Sequence, residues 1–329
     1  MKSTGKFIIS LDFELLWGVR DIQTKSSYGR NILGVWEAVP KMLEIFNKYK
    51  VKATWATVGF LFTSSKTEIQ SFSPECKPQY SNKNLSPYNG HLDLVAETEE
   101  EDKYHFASKL INLIKKYPDQ EIATHTFSHY YCLEDGQTKE NFKSDIIAAI
   151  DIAKKNEIRI KSLVFPRNQF NRDYLEIIKN AGITSYRGNE KTWFYDPTNG
   201  QKDNLKRRAI RLMDSYLNIS GHNSYKLDEI SKEEPFNVPS SRFLRPFSTK
   251  LKIAESIRLK RIIKSMTHAA KNGEVYHLWW HPHNFGVYQR ENFEFLNRIL
   301  EHYLMLNKKY GFESLTMNEL SNILKQIHK

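Results

Sequence analysis

With 329 residues, the chain can bury a large core, enough for one big α/β barrel or for two domains. Its 40% hydrophobic and 13% aromatic content excludes a disordered chain. Lys and Arg outnumber Asp and Glu by 49 to 38, a formal charge of +11 that favours acidic partners, yet no nucleic-acid-binding motif accompanies it. Two cysteines, Cys76 and Cys132, are too few for a disulfide framework. Neither a signal peptide nor a run of roughly 20 apolar residues is recognisable, so the expectation is a soluble, cytoplasmic protein with reduced thiols.

In chain order, Lys6 to Glu14 alternates cleanly and predicts a strand. Phe7, Ile9, Leu11 and Phe13 form one face; Ile8, Ser10, Asp12 and Glu14 form the other, which turns acidic at its C-terminal end. Gly18 to Gly34 reads as a polar loop, Ile32 to Tyr49 as a helix that Pro40 limits or kinks, and Val51 to Val58 as a strand. Residues 64–102 read as a loop excursion, rich in Pro, Ser and Asn and closing on an acidic run. A helix over His105 to Tyr117 then leads into the strand of Glu121 to His129, EIATHTFSH.

Further on, helices are predicted over Glu140 to Asn156 and Arg172 to Ala181, and strands over Ser162 to Phe165 and Ile183 to Tyr186. Residues 188–248 read as a second, irregular excursion. Lys250 to Lys271 reads as a basic amphipathic helix, and Val275 to Trp280 as a strand that ends in His-Pro-His. A helix over Glu291 to Lys309, a strand over Glu313 to Thr316 and a helix over Asn318 to Ile327 close the chain. Strands alternating with helices imply parallel βα units, and the lack of a Gly-rich phosphate loop after the first strand argues against a dinucleotide-binding fold.

Three strand ends carry unusual polar residues: Asp12 with Glu14, His125 with His129, and His281 with His283. In a (β/α) barrel, C-terminal strand ends converge on one mouth, where chemistry is built. Two imidazoles four residues apart suit a borderline cation such as zinc if the chain turns after His125.

At this point the sequence resembles a family. HTFSH fits the H-[ST]-x-x-H motif of the polysaccharide deacetylases, the NodB-homology carbohydrate esterases. LDFELLWG is similar to that family's opening acidic motif, and LWWHPHNFG to its late histidine motif. The resemblance spans Phe7 to Gly286. It implies a distorted (β/α)7 barrel with long loop insertions, one domain over residues 1–329, that binds a divalent metal, most readily Zn2+, and hydrolyses an N-acetyl group on a sugar.

Carried over residue by residue, the resemblance makes Asp12 the general base and Glu14, His125 and His129 the metal ligands, with the reverse roles of Asp12 and Glu14 open. It makes His281 the general acid, with His283 the other candidate, while His277, inside the strand, reads as a core histidine. The family's arginine motif is reversed in Phe165-Pro166-Arg167; Arg167 is the residue it offers to orient the base. Trp193 and Asp214 fall where the family has a Trp-bearing motif, and match it poorly.

The expected substrate is a nucleotide- or lipid-linked N-acetyl sugar, a precursor of an O-antigen or capsule, with peripheral contact to an anionic membrane through the basic helix. Two other readings compete: a metal-independent C–N hydrolase on the same fold, and a non-catalytic carbohydrate-binding barrel. The sequence leaves the oligomeric state open.

Overall fold

The computed structural model describes residues 4–200, 202–230 and 232–327; both ends of the 1–329 span lie outside the described residues. Strand β1 (Lys6–Phe13) is followed by helices α1 (Lys25–Leu33) and α2 (Val35–Tyr49), then by β2 (Ala53–Thr57), α3 (Lys66–Phe72), α4 (Ser108–Lys115) and β3 (Gln120–Thr124). Next come α5 (Lys139–Lys155), β4 (Ser162–Val164), α6 (Leu175–Asn180), β5 (Ser185–Arg187), α7 (Leu205–Asp214), β6 (Phe236–Asn237) and β7 (Arg242–Phe243). The chain closes with α8 (Glu255–Asn272), β8 (Val275–Trp280), α9 (Gln289–Tyr310), β9 (Glu313–Leu315) and α10 (Met317–Ile327).

The strands form one nine-stranded sheet in the order β6-β5-β4-β3-β2-β1-β8-β7, with β9 pairing β1 beside this path. Every named pair is parallel. The sheet curls into a half-barrel whose two ends are β6 and β7, the distorted (β/α) barrel expected from the strand–helix alternation.

Strand β1 is buried on both faces, as a central parallel strand must be. Phe7, Ile9, Leu11 and Phe13 pack outward into the layer that includes Val39, Met42, Ile111, Phe142 and Leu296 of the surrounding helices. Ile8 points inward and meets Ala56, Val164, Val275 and the residues Met317, Leu320 and Leu324 of α10, which closes the lower end of the barrel. Above Ile8 the inward face turns polar. The Ser10 hydroxyl meets His277 Nε2 at 2.8 Å and accepts from Arg187 at 2.9 Å, and Asp12 lies next along the strand. The barrel is therefore apolar below and ionic at its C-terminal mouth.

Four expectations change. The loop expected at Gly18 to Gly34 contains α1, which Thr24 starts through a capping box with Ser27, a partner other than the usual Glu or Gln. The irregular region 188–248 contains α7, capped by Asn204, and the short strands β6 and β7. The basic helix begins at Glu255, because residues Thr249–Ala254 form 3-10 turns. Two of its cations, Arg258 and Arg261, are buried in internal ion pairs and are not part of a solvated basic face.

Candidate active site

Asp12 and Glu14 leave the end of β1 on the same side, as period 2 requires. Gly18 leaves room for the Glu14 carboxylate, since a Cβ there would lie 1.9 Å from its carboxyl carbon. After β3 the chain turns sharply, with Thr126 and His129 at positive φ (63° and 56°). Backbone bonds from Gly59 to the Thr126 carbonyl and from Phe60 to the Phe127 carbonyl pin this turn. Asp145 of α5 accepts from the Phe127 amide at 2.7 Å, from the Ser128 amide at 3.2 Å and from the Ser128 hydroxyl. The turn brings both imidazoles back to one carboxylate oxygen.

Glu14 Oε2 lies 3.0 Å from His129 Nε2 and 3.3 Å from His125 Nε2. The three candidate ligand atoms lie within 4.8 Å of one another, and all three residues are buried. His125 Nδ1 donates to the Val164 carbonyl at 2.8 Å, which fixes the tautomer and turns the Nε2 lone pair toward Glu14. That Nε2 is buried and has no hydrogen-bond partner. Two neutral nitrogens and one carboxylate, with an orphaned nitrogen among them, form a donor set that a divalent cation fits.

Electrostatics agree with this picture. Burial opposes charge on Glu14, yet the surrounding imidazoles of His281, His125 and His129 hold its carboxyl well below the usual range. Burial pushes His129 down to about 3, leaving a neutral imidazole at ordinary pH.

Arg187, the last residue of β5, donates to both oxygens of Asp12, at 2.6 and 2.8 Å, and to Asn168 at 2.8 Å. Burial again opposes charge on Asp12, but this guanidinium and the nearby imidazoles outweigh it and lower the carboxyl's pKa. Arg167 sits elsewhere. It bonds Asp21 at 2.6 and 2.5 Å and lies over the Tyr131 ring, so it is not the arginine on Asp12. The reason is positional: Arg167 lies in the turn beyond β4 at a φ of 54°, whereas Arg187 occupies a strand end facing the mouth. Arg187 was missed, although a lone charge closing the strand predicted over Ile183 to Tyr186 was a visible signal.

His281 Nε2 lies 3.7 Å from Asp12 and 3.6 Å from Glu14, and its side chain is 23% exposed. His283 stacks on it at 4.9 Å but is nearly buried, with Nδ1 3.9 Å from Glu14 and an edge contact to Tyr28. Gly34 and Gly286 allow the His281–Gly286 turn to press on the α1–α2 junction, since a Cβ on Gly286 would meet the Asn31 carbonyl at 1.9 Å. His277 is a bonded core histidine, between Ser10 and the Val238 carbonyl. Asp214 is buried and paired with Arg242, while Trp193 is exposed. Trp279 and Phe243, both packed on the His281 ring, line a cavity of about 620 Å3 together with Asn168, Arg208, Arg211 and Arg245. The cavity is large enough for a sugar and part of whatever carries it.

Residues 34–186 match the polysaccharide deacetylase family model. The match takes in His125 and His129 but ends one residue before Arg187 and omits both strand-end acids and His281. No curated protein matches the chain in sequence.

The fold is similar to that of a provisionally named polysaccharide deacetylase from Mycobacterium smegmatis, with a TM-score of 0.61 and 11% identity over 99% of this chain and 92% of that one. It is also similar to a protein of the same provisional description from Pseudomonas aeruginosa PAO1, with a TM-score of 0.55 and 9% identity over 98% and 91%. The PuuE allantoinase is similar too, with a TM-score of 0.56 and 9% identity over 98% and 90%. At such identities these likenesses establish the fold alone.

Proposed function

We propose that the protein is a metal-dependent sugar N-deacetylase of cytoplasmic glycan biosynthesis, built as one domain around the barrel mouth. The observation that carries this reading is the meeting of Glu14, His125 and His129 beside the Asp12–Arg187 pair and His281. Glu14, His125 and His129 would hold the ion, most readily zinc. Such an ion polarises an acyl carbonyl and lowers the pKa of water from 15.7 toward about 7.

This chain's residues supply the proton chemistry. Asp12, oriented by the two Arg187 bonds, accepts the proton of the attacking water. His281, more exposed than His283, hands a proton to the nitrogen as the C–N bond breaks, so that it leaves as a neutral amine. The products are acetate and an amino sugar. His283, more deeply buried and pushed by burial down to about 3, is the poorer proton donor.

The net charge of +11 and the arginines of the cavity support a phosphorylated, carrier-linked substrate, a precursor of an O-antigen or capsule. The two free thiols, Cys76 and Cys132, fit a reducing compartment.

Metal content is the first test. Purified protein is expected to hold one divalent ion per chain, and the His125→Ala, His129→Ala double variant none. Full occupancy in that variant would sink the ligand assignment. Retained turnover in metal-stripped protein would favour the metal-independent C–N hydrolase that shares this fold. Acetate release from free and nucleotide-linked N-acetyl sugars then tests the carrier.

A further inference from the structure

Helix α7 is amphipathic in the inverse sense. Its inward side carries the charges. Arg207 donates to the carbonyls of Trp193 and Asp196, Arg211 bonds Asp203 and the Phe194 carbonyl, and Asp214 is buried against Arg242. Its outward side is apolar, with Leu205 79%, Leu212 37% and Met213 49% exposed. At about 100° per residue, Leu205, Ala209 and Leu212 form one stripe with Met213 beside it. The exposed Lys206 and Arg208 flank that stripe. A surface helix of a globular protein ordinarily turns its apolar stripe inward.

The patch continues beyond the helix. Leu217 and Ile219 are exposed, as are Ile253, with Lys250 and Lys252, in the turns that lead into α8, and Ile257 in its first turn. Ser215 accepts from Arg245, whose carbonyl accepts from Arg258, so the two segments are tied together. The nearby acids Asp203 and Glu255, and the buried Asp214 beneath the helix, are each paired with an arginine, which leaves the flanking charge positive.

An apolar stripe flanked by exposed Lys and Arg matches a helix that lies in the plane of a bilayer interface. Among the described residues no helix is long and apolar enough to cross a membrane, so such contact would be peripheral.

We infer that the α7 surface docks onto an anionic phospholipid bilayer. Arg208 and Arg211 line the cavity, so α7 forms part of its wall. Docking therefore sets the cavity mouth at the headgroup plane, where a lipid-linked sugar presents its phosphate. This substrate statement rests on the carrier-linked reading above and selects lipid as the carrier; the docking itself does not depend on turnover.

The test is co-sedimentation of the full chain with phosphatidylcholine vesicles, with and without phosphatidylglycerol. Binding is expected with phosphatidylglycerol, weak without it, and reduced as salt rises. The variant Leu205→Gln, Leu212→Gln, Met213→Gln keeps good helix formers at exposed positions. It is expected to lose about ten-fold or more in vesicle binding, with an unchanged circular dichroism spectrum and unchanged acetate release from a soluble N-acetyl sugar.

Wild-type protein that ignores phosphatidylglycerol vesicles, or a variant that binds as the wild type does, overturns the docking. A wild-type dimer that the variant splits, without vesicle binding, assigns the surface to a second copy instead. Vesicle binding by a protein with no deacetylase activity leaves the docking in place and refutes the catalytic reading.

Discussion

Asp12 is held by two bonds from a buried guanidinium that also bonds Ser10 and Asn168 and lies over the Trp279 ring. Buried charge of this kind is tolerated only when paired, and a planar fork pairs it better than an ammonium does. Arg187→Lys is therefore expected to fold and to lower kcat by about ten-fold, and Arg187→Ala by about 10²-fold or more. Arg167→Ala, at the Asp21 pair, is expected to leave kcat near that of the wild type. The signature beyond rate is the pH profile. Arg187 lowers the pKa of Asp12, so its loss moves the acidic limb of kcat/KM to higher pH. An unmoved limb, or a large loss of kcat in Arg167→Ala, would return the positioning role to Arg167.

The element that makes the metal cluster is the five-residue turn after β3, not a regular secondary structure. Two residues at positive φ, an irregular backbone and buried amides would be costly without fixed acceptors. Asp145 supplies those acceptors from α5, and burial raises its own pKa to about 6 despite the bonds it receives. Asp145→Ala strands two buried amides and is expected to cost about 3 kcal/mol of stability, together with metal affinity. Asp145→Asn, which keeps one acceptor oxygen, should cost less. Urea denaturation with metal analysis checks both. Equal loss in the two variants would mean that the carboxylate's charge, not its acceptors, holds the turn.

At the scale of the whole molecule, several carboxylates have pKa values lowered by the fold. Burial opposes the charge on Asp102, but His105 and Lys25 bring it to about 2; Asp214, opposed likewise, is brought to about 2 by Arg242 and Ser220. A folded-state pKa below the unfolded value gives stability that is present above about pH 4 and lost as pH falls toward 2. Each group contributes on the order of 1 kcal/mol once solvent screening is counted. The urea midpoint should therefore drop steeply between about pH 4 and pH 2, and Asp102→Asn should flatten that limb. A limb that Asp102→Asn leaves unchanged would place the acid sensitivity elsewhere.

Much of the mouth was legible because it is written locally. Alternation in Lys6 to Glu14 puts Asp12 and Glu14 on one face, and the strand–helix alternation implies a parallel barrel whose strand ends converge. The turn that unites His125 with His129 follows the same short stretch. What lies between distant segments was not legible. Asp12 and Arg187 are 175 residues apart and meet only because the sheet curls, bringing the end of β5 across the mouth from β1, four strands away in the sheet order. The family resemblance offered Arg167, and only the direction of the strand end brings Arg187 to Asp12 instead. Helix α7 shows the same division: its period is in the sequence, but which face meets water depends on Asp203, Trp193, Phe194 and Arg242, partners that only the tertiary fold brings beneath it.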